Sequence, residues 1–311
     1  MARRPEPQSG VVPEPQHAAH FLVLRVRDHA RDARAVAAEL RAIPALVAAL
    51  DPADHPAKLT VTVGIGPDFW DALAPTRRPK GLRPFKAISV DGRSAPSTGG
   101  AVLLHVTSAL RDLTFDTVLG LRSRLGAMVE VVEDVAAFRR KDARDLTGFI
   151  DGTENPKGDE RAEWALVGDD DPDFAGGSYV FAQRWVHDLA KWGRLTVAQQ
   201  EDVIGRRKPD SEELPDDLKP DTSHAARSNI EVDGEELKMV RQSLPYGNAD
   251  EHGLFFIAYC RTPGIPEDMF ARMMGAAGDG LYDRLMDFSR AATGAHFFAP
   301  SLPMLQTLGV S

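Results

Sequence analysis

Three side chains in this sequence pair a reactive group with an unusual setting: Asp151 in "GFIDGTENP", His224 in "DTSHAARSNI" and Arg241 in "LKMVRQSLPYG". A carboxylate can accept and return a proton, an imidazole can do the same or hold a metal ion, and a guanidinium can hold developing negative charge. Asp151 stands between the apolar pair Phe149-Ile150 and the turn-forming run Gly152-Thr153-Glu154-Asn155-Pro156, so the acid is held rather than solvated. Taken singly, the three say little. Asp151 reads as an Asx-turn residue, His224 as a surface or capping histidine beside Ser223 or Thr222, and Arg241 as a strand residue at a sheet edge.

The elements that must position them come in two passes. "AHFLVLRV" reads as a strand, "DHARDARAVAAELRAIPALVAAL" as an amphipathic helix and "LTVTVGIG" as a strand; after a Pro/Arg/Gly-rich connection follow the strand "AVLLHVTS", a helix over Asp112 to Leu125 and the strand "MVEVVEDV". This is the β-α-β-β-α-β order of a ferredoxin-like unit. The second half repeats it in blurred form. "GSYVFAQRWV" is a predicted strand, "DLAKWGRLTVAQQEDVIG" a helix, and "ELKMVRQS" with "GLFFIAYC" a hairpin. "PEDMFARMM" and "LYDRLMDFSRAATG" are predicted helical, and "AHFFAP" is placed to close the sheet. The expected fold class is α+β: two ferredoxin-like halves, 1–140 and 141–311, with antiparallel sheets packed together and a boundary near Lys141. The acid-rich run at 209–221 reads as a solvated loop, because its carboxylates lack the ligand spacing of a calcium loop.

Composition narrows the function classes. A chain of 311 residues, 43% hydrophobic, has material for substantial cores. Forty-six acids against thirty-seven bases give a net charge of −9, which argues against a nucleic-acid binder and for a small-molecule partner. No stretch has the length and apolarity of a membrane span, and the N-terminus lacks the apolar core of a secretory signal, so a cytoplasmic protein is expected. The single Cys260 excludes an internal disulfide framework and an iron–sulfur cluster. The eight histidines other than His224 show no metallohydrolase spacing.

Together, "GFIDGTENP", "SHAARSN", "VRQSLPYG", "GLFFIAYCR" and "DRLMDFSRAATGAHFFAPS", in this order, resemble a dye-decolorising peroxidase of the compact bacterial B or P type. The resemblance covers nearly the whole chain. It implies haem b (iron protoporphyrin IX) in the C-terminal half with His224 as the iron ligand. It also implies a carboxylate behind that imidazole: Asp283, with Asp287 one helical turn later as the alternative. Such an acceptor makes the ligand more basic and favours peroxide cleavage over reversible oxygen binding.

The same resemblance makes Asp151 and Arg241 the peroxide-cleaving pair, with the carboxylate moving the proton and the guanidinium holding charge. Ser243 stands where many members carry an asparagine, and a shorter hydroxyl leaves the division of labour with Asp151 and Arg241 open. Arg206 matches a propionate-pairing arginine. Leu254 and Phe256, on one face of their strand, are expected to cover the porphyrin. The backbone from Ile150 through Gly152 and Thr153 to Glu154 is expected to pass the haem edge, with Gly152 allowing the approach.

The implied activity is reduction of hydrogen peroxide and oxidation of an organic donor, a dye or phenol, through a ferryl intermediate. A haem carrier or haem-handling protein is the rival reading; it would not need Asp151 and Arg241 together. Any of Trp70, Trp164, Trp185, Trp192 and Tyr246 could relay an electron to a bulky donor, although each also reads as a packing residue. A homo-oligomer is expected. The chain stops at "PMLQTLGVS", a few residues past "FFAPS", so packing into an encapsulin shell is not expected.

Overall fold

The first strand shows how the fold is assembled. Along β1 (Ala18–Val26) successive side chains point to opposite faces: Phe21 and Val23 enter one core, Leu22 and Leu24 another. A strand buried on both faces must sit inside a layered structure. The computed structural model describes residues 4–51, 56–232 and 234–310, and it shows those layers.

In the N-terminal half, β1 is followed by α1 (His29–Leu50), β2 (Thr60–Ile65), β3 (Val102–Ser108), α2 (Arg111–Leu125) and β4 (Val129–Phe138). Their spatial order is β4-β1-β3-β2. The C-terminal half supplies β5 (Ser178–His187), α3 (Val197–Ile204), α4 (His224–Ser228), β6 (Val240–Arg241), β7 (Leu244–Gly247), β8 (His252–Cys260), α5 (Gly264–Met274), β9 (Ser289–Ala291) and β10 (Ala295–Ala299). Here β7-β8-β5-β10 are neighbours, with β6 and β9 on the outer sides of β8 and β5. All these pairings are antiparallel.

The two sets of strands join edge to edge. Tyr246 of β7 pairs with Ala137 of β4, and Phe298 of β10 with Ile65 of β2, which closes a barrel. Closure leaves the main strands no free edge. Phe21, Leu103, Phe255, Ile257, Tyr259 and Phe297 fill the interior. Outside, α1 and α2 cover the N-terminal strands, and α5 covers the C-terminal ones through Met269, Phe270 and Met273.

Three predicted elements fold differently. The helix expected from Asp188 to Gly205 is broken: Thr196 accepts from Gln199 N while the Gln199 side chain accepts from Thr196 N, a capping box that starts α3 afresh. Of "LYDRLMDFSRAATG", only Arg284–Asp287 is helical, as a single 3-10 turn, and Ser289–Ala291 is strand β9 against β5. Its alternating buried and exposed side chains suit a sheet edge better than a helix face. From "ELKMVRQS" only Val240–Arg241 pairs with β8, while Glu235–Leu237 folds back on Ile230–Val232.

Candidate active site

Between the outer face of β5 and β8 and the surrounding loops lies a cavity of about 350 Å³. That is within the range of ligand pockets. Ile150, Leu254, Phe256, Met269, Phe270 and Met273 give it apolar walls. Leu254 and Phe256 reach it because side chains of β8 alternate, sending Phe255 and Ile257 into the barrel instead. Asp151, Arg206, His224 and Arg241 add polar groups to the same lining.

His224 opens α4. Ser223 caps that turn by accepting from Ala226 N at 3.3 Å, which fixes where the imidazole emerges. Its Nδ1 lies 2.6 Å from Oδ2 of Asp283, a carboxylate with no solvent exposure. The other oxygen of Asp283 accepts from Leu285 N at 2.8 Å, so the acid is held at both ends. This arrangement leaves Nε2 as the ring nitrogen available on the cavity side. Asp287 does not contact the histidine; it accepts from the Tyr282 hydroxyl at 3.4 Å, because no continuous helix carries it round to His224.

The loop bearing Asp151 is pinned along its length. Ile150 N donates to Ser211 Oγ at 2.9 Å, Asp151 N to Ala143 O at 3.0 Å, and Arg144 donates to the carbonyls of Gly148 and Lys208. The 209–221 run is therefore more than a solvated loop: Ser211, buried, supports the backbone beside Asp151. Asn155 ties the loop to β6 through both main-chain groups of Arg241, at 2.9 Å each. Gly152 has φ +81°, and a Cβ there would come within 2.9 Å of Asn155 Nδ2. The turn and the close asparagine both call for glycine here, and Gly152 also lines the cavity.

Burial raises the Asp151 carboxyl above its ordinary value; the charges of Arg241 and His224 draw it back, and Asp145 adds to the rise. Asp151 is therefore a carboxylate whose proton affinity is set by three neighbours in and around one cavity.

Ser243 does not join this group. It is buried, its Oγ accepts from Ile257 N at 3.2 Å, and it is not part of the cavity wall. Arg206 lines the cavity but is already engaged, donating to Glu154 at 2.6 Å, Glu213 at 2.8 Å and the Ser211 carbonyl at 2.9 Å. Thr153 and Glu154 also line the opening.

Sequence reasoning missed a second polar group on the same wall. His187, at the end of β5, has Nδ1 2.8 Å from Ser289 Oγ and Nε2 3.3 Å from Asp145, which also accepts from the Thr147 hydroxyl at 2.6 Å. Burial works against the Asp145 charge, but His187 and the two Thr147 bonds outweigh it and hold the carboxyl well below its usual range. The available signal was a histidine at the end of a largely buried strand that otherwise carries few polar side chains. Asn155 was in view inside "GFIDGTENP" but read only as a turn former.

Comparisons with known proteins agree along the chain. The family model described as Dyp-type peroxidase, N-terminal, matches residues 8–139, and Dyp-type peroxidase, C-terminal, matches residues 142–304. A dye-decolorizing peroxidase of Rhodococcus erythropolis is 42% identical over 250 residues, covering 79% of this chain and 73% of the relative. DyPB from Rhodococcus jostii RHA1 superposes with a TM-score of 0.93 at 40% identity, covering 99% of this chain and 100% of that one. A variant of the same protein, solved in complex with heme, superposes with a TM-score of 0.92 at 40% identity over the same shares.

Proposed function

The chain belongs to the Dyp-type peroxidase family, and from that premise we propose that it is a haem b peroxidase in which His224 holds the iron and Asp151 with Arg241 cleaves hydrogen peroxide. The observation that supports this most is a single apolar-walled cavity carrying His224, backed by a buried carboxylate, together with Asp151 and Arg241. We also place the boundary between two ferredoxin-like halves near Lys141, supported by the strand orders β4-β1-β3-β2 and β7-β8-β5-β10. A homo-oligomer is part of the same proposal, to be read by light scattering.

The donor set fits haem. An imidazole with Nε2 available would suit the iron as a ligand, the aliphatic and aromatic walls suit a flat macrocycle, and Arg206 would be a cation for a propionate once Glu154 or Glu213 yields a donor. Bound there, haem supplies the iron that takes peroxide and passes on its oxidising equivalents. The residues do the rest.

Asp283 accepts the Nδ1 proton of His224, fixes the tautomer and raises the basicity of Nε2. Asp151, ionised, takes a proton from one peroxide oxygen and returns it to the other, so that the latter leaves as water. Arg241 holds the negative charge that builds up as the O–O bond breaks and keeps Asp151 ionised between turnovers. Asn155 positions Arg241 by its backbone, leaving the guanidinium free for this work.

The test is absorbance of the purified protein followed by rapid mixing with one equivalent of peroxide. A Soret band that changes within the mixing record, and returns when a dye or phenol is added, supports the proposal. Haem that binds but does not react with peroxide favours the haem-carrier reading.

A further inference from the structure

The segment ahead of β1 forms no helix or strand among its described residues, yet it is closely fitted to the barrel. Gln8, buried, acts as a strand partner for Val63 of β2: its Oε1 accepts from Val63 N at 2.8 Å, and its Nε2 donates to the carbonyls of Val63 and Pro300 at 2.9 and 3.0 Å. Gly10 passes so near β2 that a Cβ there would come within 2.3 Å of the Thr62 hydroxyl. Val11 then joins the interior cluster that contains Phe255 and Ile257.

From there the segment reaches both halves of the peroxide site. Gln242, next to Arg241, donates through Nε2 to the carbonyls of Gly10 and Val11 at 2.9 Å each. Arg161, in the short helix Glu160–Ala165, donates to the carbonyls of Val12 at 2.5 Å, Pro13 at 2.6 Å and Pro156 at 3.2 Å, and pairs with Glu14 at 3.3 Å. Both side chains are buried, where polar groups are costly unless bonded in this way. Pro156 follows Asn155, whose side chain grips the main chain of Arg241. The contacts close a ring from Arg241 through Gln242, the N-terminal segment, Arg161 and Asn155 back to Arg241. Such ties matter because β6 is two residues long and lies at an edge, paired only with β8.

We propose that Gln242 and Arg161 are positioning residues for peroxide cleavage: they clasp residues 10–13, so that the N-terminal segment holds the loop of Asp151 and the strand of Arg241 in one frame. The inference rests on the haem-peroxidase reading and adds what keeps its two cleaving groups at working distance. Neither residue lines the cavity, so each acts through its neighbours.

The experiment uses holoprotein variants. Gln242→Met removes the donors at similar side-chain length, and Arg161→Gln removes the fork. Each should keep the Soret band and the iron reduction potential, since the His224–Asp283 side is untouched, while the reaction with peroxide slows about fivefold or more. The double variant should be slowed no more than about threefold beyond the slower single, because both cut the same ring. Hydrogen exchange should quicken about tenfold at the amides of Asn155, Arg241 and Gln242. Leu40→Ala, which empties the other core, should lower the melting temperature and leave the peroxide rate and these amides within about threefold of wild type. A wild-type peroxide rate in Gln242→Met at full haem content, unchanged exchange at the three amides, or a double variant whose loss is the product of the singles would overturn the proposal. If Arg161→Gln does not fold, Gln242→Met decides alone. The exchange arm reads the clasp whether or not peroxide reacts, so failure of the haem reading shows separately, as a missing Soret band.

Discussion

Asn155 grips the main chain of Arg241 on both polar groups: its Nδ2 donates to the Arg241 carbonyl at 2.9 Å, and its Oδ1 accepts from the Arg241 N–H at 2.9 Å. One side chain therefore fixes the distance between the loop of Asp151 and the strand of Arg241. Small errors in such spacing are costly in catalysis.

Asn155→Ala should leave haem content unchanged while slowing the reaction with peroxide by about tenfold or more. Two part-buried backbone groups lose their partners, at about 1–3 kcal/mol for each one left unsatisfied. Thermal unfolding and stopped-flow absorbance read the two effects separately. Gly152→Ala should behave in the same direction, since its methyl group would press on Asn155 from a backbone at positive φ.

His224→Ala should abolish stable haem incorporation, because the other imidazole in the cavity wall, His187, has both ring nitrogens engaged, by Ser289 and Asp145. Asp283→Asn should keep haem and the bond from Leu285 N but raise the iron reduction potential, since a neutral amide donates less density through the imidazole. Spectroelectrochemistry of this variant beside Asp287→Asn checks the assignment. A shift in Asp287→Asn alone would contradict it.

The acid limb of the peroxide reaction should report Asp151. The base must be ionised, so the rate falls as pH drops through its folded pKa, which lies above the ordinary carboxylate value. Asp145 raises that pKa, and Asp145→Asn should therefore move the limb to lower pH. Arg241 lowers it, and Arg241→Leu should move the limb to higher pH, besides slowing the step at every pH. Rate–pH profiles between pH 4 and 8 measure both displacements.

Much of the fold was legible because its strands are short, nearly continuous apolar runs. Phe21 and Val23 against Leu22 and Leu24, or Phe255 and Ile257 against Leu254 and Phe256, announce two-sided burial from sequence alone. What such runs cannot specify is which edges meet, and the closure at Tyr246 with Ala137 and Phe298 with Ile65 depends on long-range pairing. The site follows the same division. His224, Asp151 and Arg241 stand out by residue type and motif. The supports are side chains whose role exists only after folding: Asn155 reaches Arg241 and Ser211 reaches Ile150 across long sequence separations. Ser243 shows the converse, a hydroxyl placed by motif in the site and turned by its strand toward Ile257 N.

The central claim is that Asp151 moves the proton and Arg241 holds the charge while Ser243 stands aside. It is tested most directly by stopped-flow mixing of ferric Asp151→Ala, Arg241→Ala and Ser243→Ala with hydrogen peroxide, following the first change in the Soret band. General acid–base catalysis is worth about a hundred to ten thousand fold, and a well-aimed donor about a hundred to a thousand fold. Asp151→Ala and Arg241→Ala should each lose at least about a hundredfold in that rate, and Ser243→Ala less than about tenfold. An Asp151→Ala protein that reacts at the wild-type rate while Arg241→Ala does not would contradict the account and reduce the carboxylate to a positional role.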